Sequence, residues 1–296
     1  MTNREETDDM VQMPGVLLIG AQKSGTSAVA DWLFDHGGFS RPQVFEEPDY
    51  YSKEVHFFDN DSRYCEGPQF YGKRYGSRDG VDATPDTLQF AERVHKCYKA
   101  AGGNQLRSVK IMVILREPIL RELSLYNHLA YDCRYLSLSA VTSWQEQVLK
   151  SDGAIMSFDE FVAKVSLPAL ATKSGPGRSS RHGMYADHLK KWFELFNRSQ
   201  ILVLSYQELR ENPRKLQERI QKFLGREIPG EFARSNSNDN DHKVRWPSKK
   251  AVVSLDDIFA AENEKLYALL EANPGPDMEQ RPFPRFIKPV YGENLD

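Results

Sequence analysis

Cysteine is scarce in this chain of 296 residues: Cys65, Cys97 and Cys133 are the three present, and no two form a CxxC pair. Zinc and a disulfide framework are both unsupported. Long apolar runs are missing too, since nothing approaches the roughly 18 apolar residues of a membrane-spanning helix. Met1 to Gln12 is polar and acidic, without the apolar centre of a signal peptide or anchor, so the expectation is a soluble, cytoplasmic protein. Nor is there an excess of positive charge. The net charge of −3 argues against a generally basic nucleic-acid binder, yet it leaves room for a local basic cleft around an anionic substrate. With 40% hydrophobic and 27% charged residues the chain can bury a sizeable core, and no compositional break divides it. The expected organisation is a disordered tail over 1–13 and one domain over 14–296; composition leaves the oligomeric state open.

What is present begins with Val16-Leu17-Leu18-Ile19, an apolar run that stops at Gly20 and passes through Lys23-Ser24-Gly25-Thr26-Ser27. Val29, Trp32 and Leu33 then fall on one face of a helix that Gly37-Gly38 ends. A strand, a tight glycine-containing loop and a helix N-terminus make an anion cradle, with Lys23 as a mobile charge and the first helical amides pointing at the ligand. The nucleotide-triphosphatase pattern GxxxxGK[ST] fails here, because Thr26 stands where its lysine belongs and Lys23 comes two residues before the second glycine. The loop resembles instead the 5′-phosphosulfate loop of sulfotransferases that use 3′-phosphoadenosine 5′-phosphosulfate (PAPS).

Lys53-Glu54-Val55-His56-Phe57-Phe58-Asp59 is the second chemical stretch. If extended, its two-residue period places Glu54 and His56 on one face and Val55 and Phe57 on the other. Standing alone it reads equally as an edge segment with solvated charges. Downstream of a KSGTS loop, KEVHFFD resembles the heparan sulfate 3-O- and N-sulfotransferase branch; cytosolic aryl and steroid sulfotransferases carry a histidine in a different local sequence. The resemblance implies Glu54 as catalytic base, with His56 orienting it or substituting for it. Gly80-Val81-Asp82-Ala83-Thr84-Pro85 reads as a strand and turn. The glycan branch usually has Glu-Lys-Ser-Pro there, so Ala83 replaces an active-site lysine and puts glycan specificity in question.

Val109 to Leu115 is a second buried strand, ending at Arg116-Glu117-Pro118 and a helix carrying Ser124, Asn127 and His128. It resembles the family's 3′-phosphate segment, with Arg116 forking a phosphate and Ser124 adding a hydroxyl. Thr172 to Gly183 reads as a basic surface loop, or as an acceptor lid through Arg178, Arg181 and His182. Gly183 to Phe196 is an amphipathic helix, Gln200 to Tyr206 a third strand, and a proline-initiated helix runs to Gly225. In His242 to Pro247, Lys243 and Arg245 alternate and suit a loop over the 3′-phosphate, though a plain linker fits the composition as well. A helix over Leu255 to Leu270 is core packing, and the tail from Pro274, with five prolines, is an extended strap.

The resemblance spans Gly15 to about Leu270 and implies an α/β fold: a central parallel sheet flanked by helices, of the P-loop-kinase-like sulfotransferase type. The implied reaction is sulfuryl transfer from PAPS to a hydroxyl or amine of a carbohydrate or small-molecule acceptor, releasing adenosine 3′,5′-bisphosphate. Lys23 would stabilise the leaving oxygen, Ser24, Gly25, Thr26 and Ser27 would hold the 5′-phosphate, and no metal is called for. The alternatives are a P-loop small-molecule kinase and an inactive sulfotransferase-like binding protein.

Overall fold

The computed structural model describes residues 11–43, 53–136, 141–172, 179–233, 242–277 and 282–291. Its centre is a four-stranded sheet of order β2-β1-β3-β4, formed by β1 (Val16–Leu18), β2 (Val81–Asp82), β3 (Lys110–Leu115) and β4 (Ile201–Ser205). All pairings are parallel, with Val16 opposite Val81 and Lys110, and Ile111 opposite Ile201. Backbone bonds from Ile19 to Met112 and from Ala21 to Ile114 carry the β1 ladder to the edge of the anion loop.

Near-continuous apolar strands belong in a sheet covered on both faces, and alternate residues here serve different layers. Leu17, Ile19, Ile111, Val113 and Val203 pack under α2 (Ala91–Ala100), α4 (Tyr185–Leu195) and the end of α6 (Lys249–Ala272). Val16, Leu18, Met112, Ile114 and Leu204 pack under α1 (Thr26–His36) and α5 (Pro213–Leu224). A third cluster joins α3 (Pro118–Tyr135) to the first half of α6 and to the helical stretch 158–170. The strand order reverses on either side of β1, so β1 and β3 splay their connections apart at their carboxyl ends, the place where open α/β sheets take ligands.

Several expectations change. Met13, assigned to the tail, is fully buried and its N–H donates to Gln105 Oε1 at 2.7 Å, so packed chain begins before residue 14. Lys53 to Asp59 forms no strand: His56 has φ 49°, which breaks the extended period. The last helix starts at Lys249 rather than Leu255. Arg178, one of the residues of the lid reading, lies outside the described residues.

Candidate active site

The turn after β1 is shaped by backbone that most side chains avoid. Gly20 has φ 143° and Gly25 φ 90°, and a β-carbon at Gly25 would come within 2.5 Å of Leu209. Only glycine meets both demands. Lys23 has φ 66° without being glycine. Such left-handed residues persist where neighbours over-determine them. Here Arg116, at the tip of β3, donates from Nη1 to the Lys23 carbonyl at 3.0 Å while its guanidinium lies 4.5 Å from the Tyr206 ring centroid. Arg116 is therefore less free to fork a phosphate than its position suggested: one arm ties the β1 and β3 loops together, and its buried Nε has no hydrogen-bond partner among the described residues.

Lys23 lines a cleft of about 1250 Å³ and has no ion-pair partner among the described residues. Burial draws its pKa down to about 8, against the pull of Asp132 and with the help of the Arg116 charge. A half-buried ammonium in that condition fits an anionic ligand. Gly25, Thr26 and Ser27 line the same cleft at the N-terminus of α1. Ser24 does not. Its side chain is fully buried beneath the loop and its N–H donates to the Ala21 carbonyl at 3.1 Å, so a role for the Ser24 hydroxyl in phosphate contact is set aside.

The Lys53 to Asp59 segment faces this loop. Although no strand forms, the outcome expected of one is reached by another route: Val55 and Phe57 are buried while Glu54 and His56 meet in the cleft. His56 Nε2 lies 3.2 Å from Glu54 Oε2, and His56 Nδ1 lies 2.9 Å from Asp59 Oδ2. Lys53 Nζ pairs with Glu54 Oε1. Burial pushes the Glu54 pKa up, but the His56 hydrogen bond and the Lys53 charge outweigh it, and the carboxyl sits below its ordinary value. Burial lowers His56, while its bonds to Asp59 and Glu54 raise it more, to about 10. Of the two roles expected for His56, orienting Glu54 fits this geometry; an imidazolium held by two carboxylates has no free nitrogen to act as a base.

The segment is held from behind by Thr84. Its hydroxyl accepts from the Val55 N–H at 2.9 Å and the His56 N–H at 3.3 Å and donates to Asp82 Oδ1 at 2.6 Å. Ala83 is 0% exposed and belongs to the core beneath α1. The ammonium beside Glu54 comes instead from Lys53, to which the sequence pattern assigned no role. His56, Asp59 and Asp86 also place three ligating atoms within 4.8 Å of one another. A metal there would have to displace a carboxylate from an occupied imidazole nitrogen.

Ser124, Asn127 and His128 of α3, Trp144, Lys243 and Arg245 form the remaining wall. Ser124 and His128 share the α3 face toward the cleft because they are four residues apart. Burial and the Lys23 charge push His128 down to about 3, so it is neutral; it lies 3.7 Å from Asp132 and its ring packs on Trp144. Sequence reasoning saw Asn127 and His128 only as helix members, and the i, i+4 spacing from Ser124 was the signal available. The lid reading fails at His182: it is 0% exposed, its Nδ1 accepts from the Gln22 N–H at 3.4 Å, and it supports the anion loop from beneath.

Across residues 13–251 the sequence matches the sulfotransferase domain family. The chain belongs to that family. It is 28% identical over 232 residues to the human bifunctional heparan sulfate N-deacetylase/N-sulfotransferase 2, covering 75% of this chain and 23% of that protein. It is 26% identical over 221 residues to the mouse heparan sulfate glucosamine 3-O-sulfotransferase 5, covering 73% of this chain and 55% of that protein. The chain thus spans between about a quarter and about half of these relatives. A solved sulfotransferase from Alicyclobacillus acidocaldarius shares the fold, with a TM-score of 0.59 at 22% identity over 88% of this chain and 97% of that one. The parallel sheet with flanking helices is the P-loop-kinase-like sulfotransferase fold. Among the described residues no helix is long and apolar enough to cross a membrane.

Proposed function

We propose that this sulfotransferase-family chain transfers the sulfuryl group of PAPS to a hydroxyl or amine of a carbohydrate or small-molecule acceptor. One observation carries the reading: a single cleft is lined both by Lys23, which has no ion-pair partner among the described residues, and by Glu54, whose carboxylate is held by Lys53 and His56. Glu54 takes the acceptor proton as the new bond to sulfur forms, and the bond from sulfur to the bridging phosphate oxygen breaks. Lys23 meets the charge gathering on that oxygen, and adenosine 3′,5′-bisphosphate leaves. Positioning and fixed positive charge do the chemistry, as in phosphoryl transfer. Gly25, Thr26 and Ser27 take the 5′-phosphate at the α1 terminus, and Arg116, Ser124, Lys243 and Arg245 take the 3′-phosphate.

A carbohydrate acceptor is favoured because the names of both relatives specify heparan sulfate, one for N-sulfation and the other for 3-O-sulfation of glucosamine. The burial of Ala83 weakens the inactive-protein alternative, since Lys53 already supplies a positive charge at the base. Calorimetry with adenosine 3′,5′-bisphosphate and with ATP separates donor classes. Binding of the bisphosphate in preference to ATP is expected; preference for ATP would turn the reading toward a kinase. Transfer of radiolabelled sulfate from PAPS to a panel of glycans, alcohols and amines then identifies the acceptor.

A further inference from the structure

Lys243 and Arg245 reach the cleft on a segment with no regular secondary structure over 243–245. Its anchor lies on another element. Asn127 donates from Nδ2 to the Val244 carbonyl at 2.9 Å, and its Oδ1 accepts from the Val244 N–H at 2.9 Å, across 117 positions of sequence. A primary amide has one donor and one acceptor side, so it can exchange both bonds with one residue, as a neighbouring strand would. The Val244 side chain adds a third attachment by packing against the cluster under α3 and α6. With Val244 fixed, the residues on either side of it leave from fixed points, and both of those residues are basic.

We infer that Asn127 is a latch: a positioning residue on α3 that holds the 242–247 loop so that Lys243 and Arg245 face the donor's phosphates. The inference rests on the proposed use of this cleft for PAPS. It assigns Asn127 no contact with the donor, and its whole effect on binding passes through the two basic side chains.

A double-mutant cycle tests that statement. Asn127→Ala and the nearly isosteric Asn127→Leu should each weaken adenosine 3′,5′-bisphosphate binding by about tenfold, the size two such hydrogen bonds carry together. In turnover assays the loss should fall on the donor KM more than on kcat. In a Lys243→Ala/Arg245→Ala background, adding Asn127→Ala should weaken binding no further. A full additional loss there would show that Asn127 touches the donor itself or acts through general stability, and would overturn the latch. A second readout needs no ligand: limited trypsin digestion of the unliganded protein should cut after Lys243 and Arg245 about tenfold faster in Asn127→Ala than in wild type, following the same lost bonds. Equal cutting rates would sink the latch. Failure of the wild type to bind the bisphosphate would overturn the donor reading instead, while the digestion rates still judge whether Asn127 holds the loop.

Discussion

A carboxylate that accepts a proton is most basic when nothing else holds it, and Glu54, the base in the proposed reaction, is held at both oxygens, by Lys53 and by His56. The arrangement trades basicity for placement: Glu54 stays ionised through the neutral range and has one orientation. General-base groups contribute roughly 10²- to 10⁴-fold. Glu54→Gln should therefore lower kcat by about 100-fold or more while leaving bisphosphate affinity within about threefold, because Glu54 is not among the residues proposed to hold either phosphate. Persistent turnover in that variant, measured at saturating PAPS and acceptor, would assign the proton to another group. Lys23 gives a second test at the same scale. Its pKa of about 8 lies below the ordinary lysine value because burial disfavours the ammonium. A bound phosphate favours the charged form and raises that pKa, so binding near pH 8 to 9 must take up a proton. Calorimetry of bisphosphate binding in buffers of different ionisation enthalpy should show uptake of up to one proton there, falling off as the pH drops toward about 7, and Lys23→Met should abolish it. Proton release on binding at pH 8.5 would contradict the assigned state of Lys23.

At the scale of elements, the Lys53 to Asp59 segment owes its shape to the turn after β2. The Thr84 hydroxyl accepts from two N–H groups of the Lys53 to His56 stretch and donates to Asp82, which also accepts from the Tyr71 hydroxyl at 2.7 Å. Thr84→Val keeps the volume and leaves these groups unpaired in a buried site, at a cost of about 1–3 kcal/mol by denaturant unfolding. It should also lower kcat by at least about tenfold, while Thr84→Ser, which keeps the hydroxyl, should recover most of both losses. Equal behaviour of the two variants would remove Thr84 from the support of Glu54. This support explains what sequence could and could not show. The strands at Val16, Lys110 and Ile201 were legible because buried parallel strands are continuous apolar runs, and the anion loop because glycine and lysine mark it locally. The loop's departure from GxxxxGK[ST] was also readable from spacing alone. The turn at His56 was not, since its left-handed backbone is imposed by Thr84 and by the flanking carboxylates, 28 positions away in the first case. Ser24 and His182 misled because residue type carries no sign of which side of a loop a side chain takes, and Asn127 because its partner is a backbone unit far along the chain.

For the molecule as a whole, the net charge of −3 conceals a cleft whose anion-facing positions are basic: Lys23 beyond β1, Arg116 beyond β3, and Lys243 and Arg245 beside α3. These positions belong to elements from opposite ends of the sequence, joined around the cleft by the Arg116 bond to Lys23 and the Asn127 bonds to Val244. A ligand with phosphates at both ends would bridge the same elements, and its binding free energy would add to the stability of the folded chain. At one hundred times its dissociation constant, a ligand that binds only the native state contributes about 2.7 kcal/mol. For a chain of this size that corresponds to a rise in Tm of about 5 °C, taking the few degrees per kcal/mol typical of large domains. Adenosine 3′,5′-bisphosphate should produce this shift in a thermal melt, and adenosine 5′-monophosphate at the same concentration should produce much less, because it leaves the 3′-phosphate positions unfilled. Lys243→Ala/Arg245→Ala should reduce the bisphosphate shift toward that of the monophosphate. Equal shifts from the two nucleotides in the wild type would mean that the wall formed by Arg116, Ser124, Lys243 and Arg245 does not read the 3′-phosphate, and the donor would then be held by the β1 loop alone.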